Sequence, residues 1–359
     1  MSRFRYAIGV LAALLVLGLI AACGGDDNAS NTPTSSPGAT TAGSSSSASA
    51  TQSSSSDVTV KMGFSAWPGW FPWEVAKEKG IFDQVGVKVD LTWFEGYTDS
   101  INAFAAGQLD ANAQTLNDTI PSVAAGSDQR IVLVNDNSTG NDQIIVSSGI
   151  NTIQDLRGKT IGVEEGVVDH YLLLLGLQSV GMTIDDVKLQ NLETGAAAAA
   201  FAAGQLDAVA VFAPFTTQAL ERSGSKTLFT SKDFPGSIPD HLVVSGKLAD
   251  DHPDVVQKLV DAWFKTLDWI HANPDEATQI MATRAGVSVD DYKSYDAGTT
   301  IFTLQQNLDA FKEGTDYKSL PYSLVQETKF LKDSGFITTD PDTSKLLMDK
   351  FVKAYSAGQ

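Results

Sequence analysis

The sequence predicts an α/β fold built from two similar lobes. The nonapeptide Ala-Phe-Ala-Ala-Gly-Gln-Leu-Asp-Ala occurs twice, at 103–111 and at 200–208. Each copy is predicted to contain, in order, the end of a helix, a glycine suited to a left-handed C-cap and the start of a strand of small residues. Strand-like and helix-like segments alternate around both copies, which is typical of α/β folds. Because ligands of open α/β sheets lie beyond the carboxyl ends of strands, each lobe is expected to offer a post-strand loop to a shared cleft.

The folded body runs from 58 to 359, and apolar patterning assigns its elements in order. Strands are predicted at 58–64, 85–94, 130–134, 144–146, 187–191, 226–229 and 241–245, with a short helix and a strand within 152–163. Helices are predicted at 74–79, before Gly107, at 171–180, at 196–203, from Pro253 and from Pro274. The expected first lobe comprises 58–143 plus 245–359, and the expected second lobe comprises 144–244.

The N-terminus indicates export and a lipid anchor. Arg3 and Arg5 precede an apolar run over 7–22, and Cys23 follows. This is the order of a signal peptide, expected at 1–22, and the residues Ile-Ala-Ala-Cys resemble a bacterial lipoprotein box, which implies cleavage before Cys23 and lipidation of its sulfur. A transmembrane anchor is the alternative, although the run is short for a span. Residues 23–56 then comprise the lipidated cysteine and a Ser/Thr-rich segment expected to be a flexible tether.

Charge and cysteine content exclude several classes of function. The formal net charge is −18, which disfavours nucleic acid as a partner. Cys23 is the only cysteine, so an intrachain disulfide is impossible. An acidic chain of this kind biases a cleft towards cations.

Four stretches carry a resemblance to a known family: Ala-Lys-Glu-Lys-Gly-Ile-Phe at 76–82, Asp-Leu-Arg-Gly-Lys-Thr-Ile-Gly-Val at 155–163, Gly-Gln-Leu-Asp-Ala at 204–208 and Trp-Ile-His-Ala-Asn-Pro-Asp-Glu-Ala at 269–277. Together they resemble the nitrate/sulfonate/taurine class of ABC-transporter substrate-binding proteins. The resemblance implies a periplasmic-binding-protein type II fold, in which two lobes joined by a two-crossover hinge close on a small molecule. It also implies delivery to an ABC permease and its ATPase, an extracytoplasmic location and a monomer.

An enzyme is the competing class. The sequence contains no nucleophile elbow, phosphate-binding loop or dinucleotide fingerprint, and its four histidines lack metal-ligand spacing. Enzymes of pyrimidine synthesis on the same fold are the alternative to consider. We therefore predict a binding protein with no catalytic residue, cofactor or metal site.

The candidate cleft loops are acidic and aromatic. Where sulfonate binders typically present a Gly- and Ser/Thr-rich helix N-terminus, this chain reads Glu-Glu-Gly-Val-Val-Asp at 164–169. The other post-strand loops contain tryptophans and acids but no Lys or Arg. The candidate ligand-binding residues are Trp67, Trp70, Tyr97, Asp99, Thr115, Asn117, Asp118, Glu164, Glu165, Asp169, Phe212 and Phe215.

Several of these candidates have a structural alternative. Asp99 or Ser100 would also serve as an N-cap for the helix that ends near Gly107. Trp73 and Trp93 are interpreted as core residues. Which of the three acids within 164–169 faces the cleft is left open.

Carboxylates beside aromatic faces suit a compact cation. The loop Gln-Thr-Leu-Asn-Asp-Thr at 114–119 also resembles a branch of the family found with urea- and guanidine-using enzymes. Guanidinium or a related small nitrogenous solute is the leading hypothesis. A small anion such as a sulfonate or nitrate, and an aminopyrimidine thiamine precursor, are the alternatives.

Overall fold

The computed structural model describes residues 58–359, so the predicted signal peptide, Cys23 and the tether lie outside the described residues. The strands are β1 (Thr59–Phe64), β2 (Lys88–Trp93), β3 (Ala111–Thr115), β4 (Gln129–Ser138), β5 (Asp142–Val146), β6 (Thr160–Val163), β7 (Lys188–Asn191), β8 (Ala208–Phe212), β9 (Lys226–Thr230), β10 (Pro239–Ser245) and β11 (Thr299–Ile301). The helices are α1 (Pro72–Glu78), α2 (Ile81–Val85), α3 (Tyr97–Ala105), α4 (Leu116–Ala124), α5 (Val168–Ser179), α6 (Thr194–Ala202), α7 (Phe215–Leu220), α8 (Gly246–Asp251), α9 (Pro253–Ala272), α10 (Pro274–Ala285), α11 (Val289–Ser294), α12 (Leu304–Ala310), α13 (Leu320–Asp333) and α14 (Lys350–Ala357).

These strands form two sheets with matching topology. The first lobe holds a six-stranded sheet in the order β11-β4-β10-β3-β1-β2, and the second holds a five-stranded sheet in the order β7-β6-β8-β5-β9. Read from the β2 and β7 edges, the two orders correspond strand by strand, and β11 is the one addition. The two repeat copies start β3 and β8, which lie in different sheets, so the two-lobe prediction is confirmed.

Two strands connect the lobes. β5 enters the second sheet antiparallel to β8 and β9, and β10 returns to the first sheet antiparallel to β3 and β4. The first sheet therefore includes the chain from Pro239, so the strand predicted at 241–245 is present as β10 and starts two residues earlier. The division of the residues between the lobes stays a prediction.

Each repeat copy makes the same contacts in its own lobe. The Asp110 carboxylate accepts a hydrogen bond from the Lys61 N–H at 2.9 Å, and the Asp207 carboxylate accepts one from the Thr160 N–H at 2.9 Å. Both acids thereby fasten the helix–turn–strand unit to the start of the neighbouring parallel strand. Gly107 and Gly204 have φ angles of 72° and 81°, the left-handed conformation expected for these C-caps.

The leucine of each copy packs against a glycine. A Cβ built on Gly63 would lie 2.6 Å from Leu109 Cδ1, and one built on Gly162 would lie 2.5 Å from Leu206 Cδ1. These glycines let the repeat leucine approach the backbone of the central strand, β1 or β6. The duplicated sequence is thus explained by a duplicated packing arrangement.

Several local predictions need correction. α3 begins at Tyr97 after Gly96, so neither Asp99 nor Ser100 is its N-cap; both lie within its first turn. The stretch interpreted as a loop after β3 forms helix α4. β4 continues through polar residues to Ser138, and all ten of its residues are buried. The helix from Pro253 is confirmed as α9, with Pro253 at its first turn. Within residues 58–359, no helix has the length and apolar character needed to cross a bilayer.

We expect Gly162→Ala to destabilise the protein by about 1–3 kcal/mol, because the new methyl group overpacks against Leu206. Gly63→Ala should have a similar cost in the first lobe. Urea unfolding measures both. In a double-mutant cycle, Gly162→Ala with Leu206→Ala should cost less than the sum of the single changes. Additive costs would contradict the proposed packing.

Candidate functional site

The strands that connect the lobes bring two aspartates into one interlobe space. Asp142 is the first residue of β5 and is the cross-strand partner of Phe212, the last residue of β8. Asp240 lies at the start of β10 and is the partner of Thr115, the last residue of β3. Because the two repeat copies start β3 and β8, these residues form two equivalent pairs, one from each lobe.

All four residues line the same small cavity. Its free volume is about 10 Å³, room for about one water molecule. None of its lining residues is Lys, Arg or His. The complete lining is Ala66, Trp67, Trp70, Tyr97, Thr115, Asp142, Val168, Phe212, Ile238 and Asp240.

Aromatic rings from both lobes meet around this cavity. The Phe212 ring lies edge-on to Trp67 at 6.2 Å and edge-on to Tyr97 at 6.4 Å, measured between ring centroids. Trp70 packs on Tyr97 at 5.2 Å. Since Phe212 belongs to the second lobe and the other rings to the first, these contacts describe a closed cleft from which water is largely excluded.

A third aspartate lies behind the cavity wall. Asp136, near the end of β4, is the cross-strand partner of Asp240, and its Oδ1 accepts a hydrogen bond from Trp67 Nε1 at 2.9 Å. A Cβ on Gly69 would lie 1.8 Å from Asp136 Oδ2. Only glycine therefore allows the Trp-Pro-Gly-Trp loop at 67–70 to wrap around this carboxylate, which explains how that loop places its tryptophans.

The helix N-termini around the cavity are occupied by the chain's own carboxylates. Asp118, in the first turn of α4, accepts hydrogen bonds from Thr115 Oγ1 and Asn117 Nδ2, each at 2.7 Å. The backbone N–H of Val168, the first residue of α5 in the other lobe, lies against the same carboxylate and offsets part of the rise in pKa that burial causes. Asp118 thus takes the position at α5 that an anion would otherwise occupy.

Glu164 does the same for two further helices. Its Oε1 accepts hydrogen bonds from the N–H and hydroxyl of Thr98 in the first turn of α3. Its Oε2 accepts from the N–H of Thr194, the first residue of α6, at 3.2 Å and from its hydroxyl at 2.8 Å. Thr98 belongs to the first lobe and Thr194 to the second, so this carboxylate also holds the lobes together.

The remaining acids have carboxylate oxygens without a partner. Among the described residues, six buried carboxylate oxygens lack a hydrogen-bond donor: Asp136 Oδ2, Asp142 Oδ2, Asp169 Oδ1 and Asp240 Oδ2 near the cleft, and both side-chain oxygens of Glu327 in α13. Leaving such groups unpaired in a dry interior is costly. No set of three His, Cys, Asp or Glu side chains within residues 58–359 is arranged to hold a metal ion.

Burial sets the protonation of these groups. It raises the pKa of Asp118 to about 7 and that of Asp142 to about 7. Burial also raises the pKa values of Asp136, Asp169 and Asp240 well above the usual range, and neighbouring carboxylates raise each further. In the closed cleft without a counter-charge, these carboxyl groups therefore hold protons up to near-neutral or higher pH.

The structure brings together most of the sequence-predicted residues. Trp67, Trp70, Tyr97, Thr115 and Phe212 line the cavity. Buried beside that set are the four polar candidates Asn117, Asp118, Glu164 and Asp169.

Three predicted residues lie elsewhere. Asp99 is exposed in the first turn of α3, because the helix starts at Tyr97, three residues earlier than an N-cap at Asp99 would give. Glu165 is exposed on a separate groove beside His170, because the turn into α5 directs Glu164 inward and Glu165 outward. Phe215 packs on Phe212 at 5.6 Å but does not line the cavity. Trp73 is buried against Trp263, in agreement with its interpretation as core.

Sequence reasoning missed Asp136, Asp142 and Asp240. Each lies at the end or start of an apolar strand at a lobe crossover, and hydropathy places such residues in loops. The available signal was an acidic residue next to each strand that connects the two lobes.

The chain matches the model of the NMT1-like family over residues 53–286, well over half its length. This chain belongs to the NMT1-like family. The NMT1-like chain is 28% identical to the taurine-binding periplasmic protein of Escherichia coli (strain K12) over 309 residues, which cover 83% of this chain and 93% of that protein. It is also 28% identical over 212 residues to a Brucella abortus (strain 2308) protein named only as a binding protein, and it spans 65% of that relative's length.

Solved structures share its fold at low identity. The alkanesulfonate-binding protein SsuA from Xanthomonas axonopodis pv. citri bound to MOPS matches with a TM-score of 0.69 at 17% identity, covering 81% of this chain and 98% of that one. The desulfurization enzyme DSZB matches with a TM-score of 0.61 at 18% identity, covering 84% and 100%. The predicted type II binding-protein fold is thereby confirmed, and the same fold also carries an enzyme.

We expect Glu164→Gln to weaken lobe closure, because an amide offers one acceptor oxygen where the carboxylate offers two. Losing hydrogen bonds to a charged acceptor should cost about 1.5–3 kcal/mol. The radius of gyration from small-angle scattering should rise and the melting temperature should fall. Glu165→Gln, at its exposed neighbour, is the matched control and should change neither the radius of gyration nor the melting temperature. Equal effects of the two changes would show that Glu164 does not hold the lobes together.

The unliganded protein should lose stability as pH rises from about 4 to about 7. The folded-state pKa of Asp142, about 7, exceeds its unfolded value near 3.9, so its contribution is complete at low pH and disappears as it ionises. Asp142→Asn should therefore raise the free energy of unfolding at pH 8, by on the order of a few kcal/mol, and leave it nearly unchanged at pH 4. Denaturation at both pH values measures this, and a destabilised variant at pH 8 is the contrary result.

Proposed function

We propose that this protein is the monomeric solute-binding component of an ABC importer and that it captures a compact, cationic, nitrogen-rich solute of the guanidinium type between its lobes. One observation carries the proposal. The hinge carboxylates of Asp142 and Asp240 face a single interlobe cavity whose lining contains no basic side chain.

The unpaired oxygens favour a ligand with several N–H donors. Asp142 Oδ2 is buried without a hydrogen-bond donor, and the Asp240 carboxyl group has the Asp136 carboxyl group as its side-chain hydrogen-bond partner. A planar guanidinium offers N–H pairs that match carboxylates in bidentate fashion. Its charge would also hold both carboxylates in the ionised form, so the protein would exchange protons for the solute as the lobes close.

The aromatic residues supply the second element of recognition. A cation over the face of a desolvated aromatic ring gains about 2 kcal/mol, and Trp67, Trp70, Tyr97 and Phe212 all line the cavity. The closed cavity has room for about one water molecule, so it must enlarge to admit any of the candidate solutes. Entry therefore requires the lobes to separate, which the two connecting segments permit as hinges.

The transport role is supported by the fold and by relatives. The taurine-binding periplasmic protein of E. coli aligns with most of this chain, and importers of this kind use a permease and an ATPase. The alternatives from another class, a pyrimidine-synthesis-like enzyme or an activity such as that of DSZB, have less support because the aligned relatives are named as binding proteins.

A small anion is the second candidate for the solute, and the name of the taurine-binding relative favours it. Taurine carries an ammonium group that would suit Asp142 and Asp240. Its sulfonate would need donors, however, and the N-termini of α3, α5 and α6 already serve Glu164 and Asp118. An aminopyrimidine, the third candidate, would require a greater enlargement of the cavity than guanidinium would.

The protein is proposed to act outside the cytoplasm, held to the membrane by a lipid on Cys23. Cys23→Ser should leave the precursor unprocessed or release the protein from the membrane fraction. Mass spectrometry of the wild-type mature N-terminus measures the lipid directly. A mature start beyond residue 23 without lipid would disprove the anchor.

Calorimetry at pH 8 should detect binding of guanidinium and weaker or no binding of taurine and nitrate. Asp142→Asn and Asp240→Asn should each weaken guanidinium binding by about 2–5 kcal/mol, the cost of removing a buried charged partner. Asp99→Asn, an exposed acid of the same type, is the control and should leave the affinity unchanged.

Affinity should also depend on pH. Asp142 has a pKa of about 7, so below that pH the solute must displace its proton. For each proton displaced, the association constant should fall by up to about tenfold per pH unit below 7. Above pH 7 the association constant should no longer change with pH. Tight taurine or nitrate binding that is unaffected by the acid-to-amide changes would reverse the proposed sign of the ligand. A catalysed reaction without tight binding would instead support the enzyme class.

A further inference from the structure

The carboxyl groups of Asp136 and Asp240 lie side by side on the first sheet. The two residues are cross-strand partners in the antiparallel pairing of β4 with β10, so their side chains share one face of the sheet. Both are buried, and each carboxyl group is the side-chain hydrogen-bond partner of the other. Of the two, Asp240 lines the interlobe cavity and Asp136 does not. Asp136 therefore reaches the cavity only through Asp240.

The contact between these carboxyl groups requires a proton. Asp136 Oδ2 and Asp240 Oδ2 are both buried without a hydrogen-bond donor, and an ionised carboxylate only accepts hydrogen bonds. Two carboxylates that share a buried site do not both ionise, because their like charges repel. One proton on the pair removes this repulsion and gives one carboxyl group a donor and the other an acceptor, so a single proton satisfies both oxygens.

Trp67 determines which oxygen of Asp136 carries the proton. The Trp67 Nε1–H donates to Asp136 Oδ1 at 2.9 Å, so Oδ1 is an acceptor and Oδ2 is left to donate to Asp240. A cation in the cavity lies nearer to Asp240 than to Asp136, and the attraction between charges falls with distance. The cation therefore favours the arrangement in which Asp136 is protonated and Asp240 is ionised.

The surroundings of the pair supply no positive charge. The titratable side chains whose charge acts on it are two acids and two tyrosines: Asp118, Asp142, Tyr97 and Tyr292. His241, the next residue of β10, faces the other side of the sheet and is neutral, because burial lowers its pKa to about 3. Burial and the neighbouring carboxylates raise the pKa values of both members of the pair. A singly charged solute does not offset three ionised acids, so the pair keeps a proton.

We propose that Asp136 is a positioning residue of the solute site, which keeps one proton when the solute is bound and donates it to Asp240. The site then presents two negative charges, on Asp142 and Asp240, instead of three. The proton stays within the pair: it leaves Asp240 for Asp136 as the cation enters, and this step releases none to water. The role in solute binding rests on the proposed function, whereas the shared proton does not.

Carbon NMR of the mature protein, labelled at its aspartate carboxyl carbons, detects the shared proton without any solute. At pH 8 the wild-type spectrum should contain a protonated carboxyl signal from the pair. In Asp136→Asn and in Asp240→Asn the acid that remains should ionise about one pH unit or more lower, because the new amide donates to it and carries no charge. Asp99→Asn, at an exposed acid, is the control and should leave the signal of the pair unchanged.

Two NMR results would overturn the shared proton. One is a pair that is fully ionised at pH 8 in the wild-type protein. The other is a protonated signal that titrates identically in the wild-type protein, Asp136→Asn and Asp240→Asn, because the proton then belongs to another acid.

Calorimetry with guanidinium at pH 8 tests the positioning role. Asp136→Ala removes the donor and should weaken binding about tenfold or more. Asp136→Asn should recover most of that loss, because its amide N–H replaces the protonated carboxyl group and its amide oxygen still accepts from Trp67. Asp240→Asn should instead weaken binding about thirtyfold or more, since it removes the charge that faces the solute.

An equal loss in Asp136→Asn and Asp240→Asn would show that Asp136 acts as an ionised acid, and it would overturn the positioning role. This comparison does not depend on the alanine variant, which has the larger effect on folding. If guanidinium does not bind to the wild-type protein, the proposed function fails and the positioning role fails with it. The shared proton is then decided by the NMR measurement alone.

Discussion

The closed structure depends on one electrostatic constraint: the strands that connect the lobes carry carboxyl groups into a space that contains no counter-charge. Asp142 and Asp240 line that space, and Asp136 lies directly behind it. Closing the lobes removes water from these groups, so each must be protonated or paired with a cation. The raised pKa values of the acids follow from this constraint. So does the expectation that closure is complete only when protons or a cationic solute are present.

The same constraint shows why the fold does not determine the sign of the ligand. A two-lobe α/β scaffold directs several helix N-termini at its cleft, and each can bind an anion. In this chain Asp118 serves α5, and Glu164 serves α3 and α6. The favourable helix ends are therefore used to fasten the lobes, while Asp142 and Asp240 line the interlobe cavity. Under the proposed function, these acids give the scaffold its preference for a cation.

The sequence predicted the scaffold well because the repeat specifies contacts as well as elements. Its leucine and aspartate make the same contacts in both lobes, with Gly63 and Lys61 in one and with Gly162 and Thr160 in the other. The post-strand loops likewise predicted Trp67, Trp70 and Tyr97 in the site. The hinge acids could not be found in this way, because hydropathy defines a strand by its apolar residues and β4 ends in four buried polar ones. Asp99 and Glu165, which the sequence also suggested, lie outside the cavity, because composition alone does not tell which side of a turn faces the cleft.

The two halves of the cleft are equivalent in backbone but not in side chains, and this difference gives the site an orientation. At the last position of its repeat-derived strand the first lobe has Thr115, whose hydroxyl donates to Asp118. At the equivalent position the second lobe has Phe212, whose ring meets Trp67 edge-on. In the proposed complex a planar cation between Asp142 and Asp240 would therefore meet a polar, acidic side at Thr115 and an apolar ring at Phe212. A guanidinium can satisfy both, because its edge carries the N–H donors and its face is poorly hydrated. A compact tetrahedral ammonium has no such apolar face, so the asymmetry favours planar cations.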